Sequence, residues 1–582
     1  MTKLSGGGLD DILRQAADAR GRGAIDEAKG LYRRALDIDA RSLTACSHLA
    51  VIAAQEGDLA QAETLFRRVL AVRPNSPEGH NNLGALLQQQ GRLDEAIVAH
   101  RRAIALRPDY AVAHCHLGNA LKGQGQFDDA LAAYRRALEL KPDLAEACNN
   151  LGVVLQRQGK FGQALDAYDR AIKLRPGDFE IAYNRAVALQ QQGRLEEAGA
   201  AYRDLIRQSP SSLVYLNLGS VEQDLGRLDA ALAAFDQAIA LDRSFAPAHF
   251  NRGVILQLQG RLDEAVAAYG AAMNLRPGYV EAATNAAIVL QELGRLDDAV
   301  QGFELAAALN PDAAEPYNNL GIALLARGQP AEAVTAFQRA LALKPDYAQA
   351  FYNMGNAWRE LGKPEGAIAA YGQALRLRPD DADAFAQLAY QRRRACDWTN
   401  DTADQQKLLD LVRGGVRVPP FFLLATAAGP AEQLACARGW VEPFGRVAPP
   451  AYMPSPARQD DRIRLGYLSA DFHQHATAYL TAELFERHDR ARFEVVAYSY
   501  GPDDGSPMRR RLAQAFDRFV DVRPLSHAQA AQRIHADGID ILIDLKGHTL
   551  GARTAIMAAR PAPVQVNYLG YPGTMGADFI DY

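Results

Sequence analysis

The sequence predicts an α-solenoid of repeated helix pairs over residues 8–390, followed by an α/β Rossmann-like lobe over residues 461–582. One short phrase, as in GRLDEA, GQFDDA or GRLEEA, returns along the first two-thirds of the chain. The last fifth of the chain instead alternates short β-rich runs with helical stretches, which is typical of a parallel sheet. Residues 391–460 follow neither pattern, and we interpret them as a helical connector that ends in a proline-rich linker.

The first glycine of the repeated phrase marks a period of 34 residues, with a single interval of 33. An alanine follows five residues after each glycine, and an aromatic residue follows nine after it, except at His100. Glycine suits a turn between two helices because positive φ costs it little, and the alanine lets the two helices approach closely. We therefore expect about eleven helix pairs stacked into a right-handed superhelix with a concave groove. The glycines are Gly23, Gly57, Gly91, Gly125, Gly159, Gly193, Gly226, Gly260, Gly294, Gly328 and Gly362.

Most of the first helices carry an asparagine two residues before a small residue, as in NNLG. A carboxamide is both a donor and an acceptor, so an aligned row could hold an extended polypeptide by its backbone. The alternative is that each asparagine bonds only to a neighbouring turn, and the sequence leaves both interpretations open. The row consists of Asn82, Asn150, Asn184, Asn217, Asn251, Asn285, Asn319 and Asn353.

Charge and composition exclude several classes of protein. The net charge is -5, from 69 acidic and 64 basic residues, so nucleic acid and anionic membranes are not expected partners. No apolar run approaches the length of a membrane span, and the start of the chain lacks the apolar stretch of a signal peptide. The five cysteines form no CxxC motif. We expect a cytoplasmic protein with reduced cysteines.

Five β-rich runs in the last fifth, IRLGYLS, FEVVAYSY, DRFVDV, IDILIDL and VQVNYL, predict a parallel sheet whose site lies at the carboxyl ends of the strands. Six of the twelve histidines lie here, and we interpret His475, His535 and His548 as functional and His488 and His527 as surface residues. A zinc site at the HxH of residues 473–475 is a competing interpretation, but this lobe has no cysteine to complete it.

The repeats, the CDW motif at residues 396–398 and the phrases RLGYLSADFHQHATAYL, RIHADGIDILIDLKGHTLGAR and RPAPVQVNYLGYPGTMGADFIDY resemble the protein O-GlcNAc transferases and their Spindly-type relatives. The repeats resemble tetratricopeptide repeats. The resemblance implies a two-lobe (GT-B type) glycosyltransferase without metal or cofactor. It would move GlcNAc from UDP-GlcNAc to serine or threonine of proteins held in the repeat groove. The repeats are also a candidate homodimer surface.

The resemblance also implies roles for particular residues. The family's two noted histidines fall on His475 and His535, as candidate catalytic residues. Its sugar-contacting turn falls on Leu569, Gly570 and Pro572, and its peptide-binding asparagines fall on the row from Asn82 to Asn353.

Three departures from the family pattern bear on those roles. Ala476 replaces a proline of animal members, Gln532 replaces an aspartate, and His548 replaces a tyrosine. Gln532 cannot act as a general base, so a base role for that aspartate does not carry over.

Only one lobe fits between residues 461 and 582, so we expect the sequence to stop before the second lobe, which holds the nucleotide diphosphate. An inverting transfer depends on stabilising that leaving group, and we therefore expect negligible transfer by this chain alone. Two alternatives remain. The donor could be GDP-fucose, as in Spindly-type members, or the chain could be a non-catalytic scaffold that binds proteins.

Overall fold

The structure is a computed structural model that describes residues 7–445, 461–549 and 551–582. Most of the predicted linker VAPPAYMPSPARQDD lies outside the described residues. The chain divides into two compact units, residues 1–255 and 256–582, which are described separately below. Because this division falls within the repeats, the domain boundaries predicted at residues 390 and 460 stay predictions.

Eleven helix pairs follow one another in the order that the repeats predict, which confirms the helical solenoid. Each odd-numbered helix is the first of its pair. The helices are α1 Gly7–Gly21, α2 Ile25–Ile38, α3 Leu43–Gln55, α4 Leu59–Val72, α5 Pro77–Gln89, α6 Leu93–Leu106, α7 Ala111–Gly123, α8 Phe127–Leu140, α9 Ala145–Arg157, α10 Phe161–Leu174, α11 Phe179–Gln191, α12 Leu195–Gln208, α13 Ser212–Asp224, α14 Leu228–Leu241, α15 Ala246–Leu258, α16 Leu262–Leu275, α17 Val280–Glu292, α18 Leu296–Leu309, α19 Ala314–Ala326, α20 Pro330–Leu343, α21 Ala348–Glu360 and α22 Pro364–Leu377.

All eleven glycines of the repeated phrase lie in the turn within a pair and have φ between 69° and 84°. This is the left-handed region, where residues with a Cβ are strained. The single short interval falls between α12 and α13, which are joined by three residues, 209–211, where four residues, 175–178, join α10 and α11. The missing residue is therefore taken from a loop and not from a helix.

In several repeats the aromatic residue of the second helix packs against a glycine of the first helix in the same pair. A Cβ added to Gly118 would lie 2.6 Å from the ring of Tyr134, so glycine is needed for the close approach. The Tyr134 hydroxyl donates to Oδ1 of Asn119 at 2.7 Å. His100, which replaces the aromatic in its repeat, is fully buried against Gly84 in the same way.

Three further helices follow the repeats: α23 Ala382–Arg394, α24 Asp401–Arg413 and α25 Pro430–Gly445, with a short 3-10 helix at Pro420–Leu423 before α25. Arg392 and Asp404 form an ion pair at 2.9 Å that joins α23 to α24. The ring of Tyr390 stacks on Phe422 with centroids 4.6 Å apart. Helix α23 and the 3-10 helix are thus packed into one apolar cluster.

The lobe contains five parallel strands in the spatial order β3-β2-β1-β4-β5, which confirms the predicted α/β fold. Side chains alternate along β2 between two cores, with Val496 and Tyr498 in one and Val495 and Ala497 in the other. The elements are β1 Ile463–Ser469, α26 Ala476–Glu486, β2 Phe493–Ser499, α27 Pro507–Ala515, β3 Arg518–Asp521, α28 His527–Ala536, β4 Ile541–Asp544, α29 Thr554–Ala558 and β5 Val564–Asn567.

Candidate functional site

Loops that follow β1, β2, β4 and β5 meet at the carboxyl edge of the sheet. A Cβ on Gly501 would overlap the carbonyl group of Ala470, and one on Gly570 would overlap that of Leu545. Both glycines therefore allow a loop to lie directly on the backbone of its neighbour. The loops after β1 and β2 are also joined by the backbone N–H of Gln474, which donates to Oδ2 of Asp504 at 3.0 Å.

A buried ion pair lies at the centre of this edge. Nζ of Lys546, after β4, is 3.1 Å from Oδ1 of Asp471, after β1, and both side chains are more than nine-tenths buried. Asp544 lies beside them and accepts the backbone N–H groups of Lys546 and Gly547. Complete burial raises the pKa of Asp544 to about 6. The ammonium of Lys546 is thus paired with Asp471, while Asp544 is held by backbone N–H groups.

His475 lies next to this pair at the start of α26. It is the N-cap of the helix, and its Nδ1 accepts the backbone N–H of Thr477 at 3.2 Å. The same Nδ1 is 3.6 Å from Oδ2 of Asp471, and the ring is 42% exposed. Because Nδ1 is an acceptor here, the neutral ring carries its proton on Nε2 and can donate it to a substrate oxygen. Asp471 thus lies on the Nδ1 side of the ring.

Arg509 of α27 holds the loop that carries His475 in place. Nη1 of Arg509 donates to the carbonyl of Phe472 at 3.0 Å and to the hydroxyl of Ser499 at 2.9 Å. Arg509 is buried and also lies over the ring of Phe519. The exposed histidine is therefore mounted on a rigid loop, which a positioned catalytic group requires.

The other half of the HxH motif faces a different carboxylate. Nδ1 of His473 is 3.9 Å from Oδ2 of Asp504, and its ring centroid is 5.8 Å from that of His475. Burial lowers the pKa of His473, while hydrogen bonds from Gln474 and Ser506 hold the pKa of Asp504 at about 2. Nowhere in residues 7–445, 461–549 and 551–582 do three or more potential ligands gather as a metal site would need.

The predicted sugar-contacting turn lies at the same edge. Leu569 has φ of +68° and is about half exposed, and Pro572 is exposed. The turn is tied to β4 because the backbone N–H of Tyr568 donates to the carbonyl of Asp544 at 2.9 Å. Leu569, Gly570 and Pro572 are thus brought to the edge that carries His475.

His535, the second candidate catalytic residue, lies elsewhere. It is in the last turn of α28, which leads into the amino end of β4. The carbonyl of Asp537, two residues on, accepts Nη1 of Arg464, the second residue of β1. Since β1 rises by about 3.3 Å per residue, this end of the sheet is roughly 20 Å from the carboxyl edge. The structure does not bring His535 and His475 together.

The lobe contains three other histidines, which differ in burial and in contacts. His548 is buried, its Nε2 lies 2.8 Å from the carbonyl of Met575, and its ring packs on Tyr571. Burial lowers the pKa of His548. His488 is half-buried beside the hydroxyl of Tyr467, whereas His527 is exposed.

Several asparagines of the row bond to the preceding repeat. In each case the side-chain amide donates to the residue that stands just before the corresponding position one repeat earlier. The bonds are Asn184 to Asn149 (3.2 Å), Asn353 to Asn318 (3.0 Å) and Asn217 to the hydroxyl of Tyr183 (2.9 Å). These partner residues lie on a neighbouring helix. The alternative drawn from the sequence, in which each asparagine bonds to a neighbouring turn, is therefore not what these three residues show. One amide donor is used, and each carboxamide retains further capacity.

The members of the row differ in availability. Asn353 is buried, at 8% exposure, whereas Asn82, Asn150, Asn184, Asn217, Asn251, Asn285 and Asn319 are partly exposed. Asn150 accepts from Nζ of Lys122 and donates to Asn119, so both of its polar groups are engaged. The partly exposed members remain candidates for contact with a bound polypeptide.

Sequence reasoning did not assign Asp471, Lys546 or the first asparagine of the NN doublets. The doublet itself is the signal for the last group, because Asn149 and Asn318 are the inter-repeat acceptors. The pairing of Asp471 with Lys546 spans 75 residues and has no local signal.

Comparison with known proteins assigns the two kinds of structure to families. Residues 446–582 match the model of glycosyl transferase family 41. Models of the tetratricopeptide repeat match residues 19–86, 87–125, 118–159, 149–212, 216–280, 279–346, 318–382 and 352–390. The matches thus describe a run of tetratricopeptide repeats followed by a lobe of the family 41 kind. The chain belongs to the tetratricopeptide-repeat proteins, and its lobe belongs to glycosyl transferase family 41.

Three curated relatives are each similar to part of the chain. The UDP-N-acetylglucosamine--peptide N-acetylglucosaminyltransferase of Caenorhabditis elegans is 46% identical over 122 residues, 21% of this chain and 11% of that protein. The probable transferase SEC of Arabidopsis thaliana is 37% identical over 175 residues, 28% of this chain and 18% of that protein. The probable transferase SPINDLY of the same plant is 32% identical over 149 residues, 25% of this chain and 16% of that protein.

The chain therefore spans 11 to 18% of the length of these relatives. In the described parts of the chain, no helix is both long and apolar enough to cross a bilayer.

Proposed function

We propose that this chain serves in protein O-GlcNAc transfer, in which GlcNAc moves from UDP-GlcNAc to serine or threonine of a protein held by the repeats. The observation that supports the proposal is the position of His475, which lies at the carboxyl edge of a family 41 lobe and beside the buried pair of Asp471 and Lys546. All three relatives above are named as UDP-GlcNAc-dependent peptide transferases.

In this proposal the acceptor hydroxyl oxygen bonds to the anomeric carbon of GlcNAc as the bond from that carbon to the diphosphate oxygen breaks. The electron pair of the broken bond leaves with the diphosphate oxygen of UDP, and the proton of the acceptor hydroxyl passes to solvent water. His475 donates from Nε2 to an oxygen of the bound sugar or acceptor and fixes its position. Asp471 provides a negative charge beside the ring whenever the ring takes up a proton.

The turn at Leu569, Gly570 and Pro572 contributes the sugar contact. Its backbone lies on β4, so the exposed side of the turn faces away from the sheet with little freedom to move. We assign His535 no contact with the reacting atoms in this proposal, because α28 leads into the amino end of β4 whereas His475 follows the carboxyl end of β1.

The partly exposed asparagines bind the acceptor polypeptide. Their spacing of one per repeat suits an extended chain, because each carboxamide can meet a backbone N–H or C=O whatever the side chains are. Amide bonds between repeats hold several members in place before an acceptor arrives, which reduces the entropy lost on binding.

The test begins with the intact mass of the polypeptide purified from its native cells, because we expect negligible transfer from the 63.2 kDa chain alone and transfer from a longer polypeptide that includes it. Proteins from the same cells are the acceptors, and labelled UDP-GlcNAc and GDP-fucose are supplied in parallel. GlcNAc on serine or threonine, lost in His475→Ala, is the expected result. Fucose transfer would replace the proposal by the Spindly-type alternative. Tight binding of partner proteins with neither sugar transferred would instead favour a scaffold.

A further inference from the structure

A cavity of about 240 Å³ lies in the second unit, apart from the carboxyl-edge loops that carry His475 and the sugar-contacting turn. Its walls come from helices α21, α23 and α25, from the 3-10 helix with the proline before it, and from residues 548, 549, 551, 552 and 554 of the lobe. The proposed transfer reaction makes no use of this space.

Five aromatic side chains line the cavity: Tyr390, Phe421, Phe422, Trp440 and Phe444. Tyr390 and Phe422 are stacked, and Phe421 meets Tyr390 edge-on at 6.1 Å. Flat faces and ring edges of this kind favour a planar ring, which can stack on one wall and meet another edge-on. The wall chemistry therefore selects an aromatic ligand.

A nearly buried cation stands at the same cavity. The Arg359 side chain is 11% exposed, and the carboxylate nearest to it, that of Glu360, is 3.8 Å away. Its one hydrogen bond to a described residue is from Nη1 to the neutral amide of Gln387 at 3.2 Å, and Nε has no partner there. Buried charges are normally paired. Burial raises the pKa of Glu360.

The charged side chains that line the described wall of the cavity are all basic. Arg394, on the exposed side, has no ion pair within the described parts of the chain, and no acidic residue is found among the described residues of the wall. An anion near Arg359 would therefore gain two guanidinium groups and meet no carboxylate in the wall.

We propose that this cavity binds a small aromatic acid, with its ring among the aromatic side chains and its carboxylate on Arg359. The volume exceeds the roughly 150 Å³ of an apolar cavity that takes up benzene, which leaves room for a short acidic arm. A guanidinium binds a carboxylate through two parallel hydrogen bonds, so the acid is held in one orientation.

A bound acid would connect the end of the repeats with the lobe. Tyr390 belongs to the last repeat-like helix, whereas Thr549 and Thr554 belong to the segment that follows β4. His548, also in the wall, is two residues from Lys546. Binding therefore acts on the segment that supplies the buried ammonium beside His475.

The test is calorimetry of the full chain with indole-3-acetate, with indole and acetate as the two halves of the probe. We expect indole-3-acetate to bind at least about tenfold more tightly than either half, because a charge-assisted bond and ring burial contribute together. Arg359→Gln should weaken the acid at least about tenfold and leave indole unchanged. Arg376→Gln, at an exposed arginine of α22, is the matched control and should change neither.

A second variant tests the cavity while Arg359 is left unchanged. Ala552→Phe fills the cavity from the lobe side and should abolish binding of both indole and the acid, with the circular dichroism of the parent. No binding of indole-3-acetate, equal affinity for indole, or full affinity in Arg359→Gln would each overturn the proposal.

Discussion

Nζ of Lys546 lies 3.1 Å from Oδ1 of Asp471, and the two side chains are almost completely removed from solvent. They belong to loops after β4 and β1, which are neighbouring strands, and Asp471 in turn lies beside Nδ1 of His475. The exposed histidine is thus adjacent to a buried charge pair whose two members come from distant parts of the sequence.

Removing one member of the pair should cost more than removing both. Lys546→Met leaves the Asp471 carboxylate buried and unpaired, and we expect the lobe to lose about 3–5 kcal/mol of unfolding free energy. The double variant Asp471→Asn with Lys546→Met should recover most of that loss. Amide hydrogen exchange in β1 and β4 measures the local free energy. Equal exchange in the parent and in Lys546→Met would contradict the prediction.

Asp544 should make the lobe less stable as pH rises. Its pKa is raised to about 6, from an ordinary value of 3.8, so the folded state binds more protons than the unfolded state between those values. Unfolding free energy should therefore fall by about 2 kcal/mol from pH 4 to pH 6. Asp544→Asn should remove this part of the pH dependence. A difference between parent and variant that does not change across this range would contradict it.

His100 should have the opposite pH dependence in the first unit. Burial lowers its pKa to about 3, so only the unfolded state takes up a proton as pH falls below 6.5. At pH 5 this costs about 2 kcal/mol relative to pH 7.5. His100→Phe should therefore protect α6 amides from exchange more strongly at pH 5 than at pH 7.5. His114→Gln, at a histidine whose Nε2 lies near the carbonyl of Pro108, is the control.

Asn353 and Asn319 should separate stacking from acceptor binding. Asn353→Ala removes a buried hydrogen bond to Asn318 and should cost about 1–3 kcal/mol in the local stability of α19 and α21. Replacing the partly exposed Asn251, Asn285 and Asn319 by alanine should instead weaken acceptor peptides with less effect on stability. Anisotropy of labelled acceptor peptides and hydrogen exchange give the two readouts. Unchanged peptide affinity would leave the row a purely structural feature.

Gly570→Ala should disrupt the sugar-contacting turn. The new Cβ would overlap the carbonyl of Leu545, and backbone cannot move aside as a flexible side chain can. We expect faster amide exchange at residues 568–571 and a lower melting temperature. Gly270→Ala, in helix α16 with open space around its Cβ, is the matched control and should stabilise its helix slightly. Similar effects of both changes would argue against the close contact.

The repeats are predictable because each structural role falls on a residue type that few others can replace. Gly226 keeps its positive φ even where the period shortens, and Tyr134 finds its glycine partner in the same repeat. The five strands are predictable from their β-rich runs. Their spatial order is not, because adjacency depends on the path of each crossover.

The candidate site is predictable only in part. Parallel strands place His475 and the turn at Leu569 at one edge, since both follow a strand. The same rule puts His535 at the opposite edge, because it precedes β4, although the family resemblance groups it with His475. The contact of Lys546 with Asp471 depends on side-chain packing across two loops, for which no sequence pattern exists.

The loop of three residues between α12 and α13 shows where a repeat array tolerates the loss of one residue. A codon lost within a helix would rotate every later side chain of that helix by about 100° and turn its asparagine away from its neighbour. Lost from the loop, the codon leaves both helices at full length, and Asn217 still reaches Tyr183. Small insertions and deletions among relatives should therefore be confined to the short connections between repeats, while the number of repeats varies in whole units.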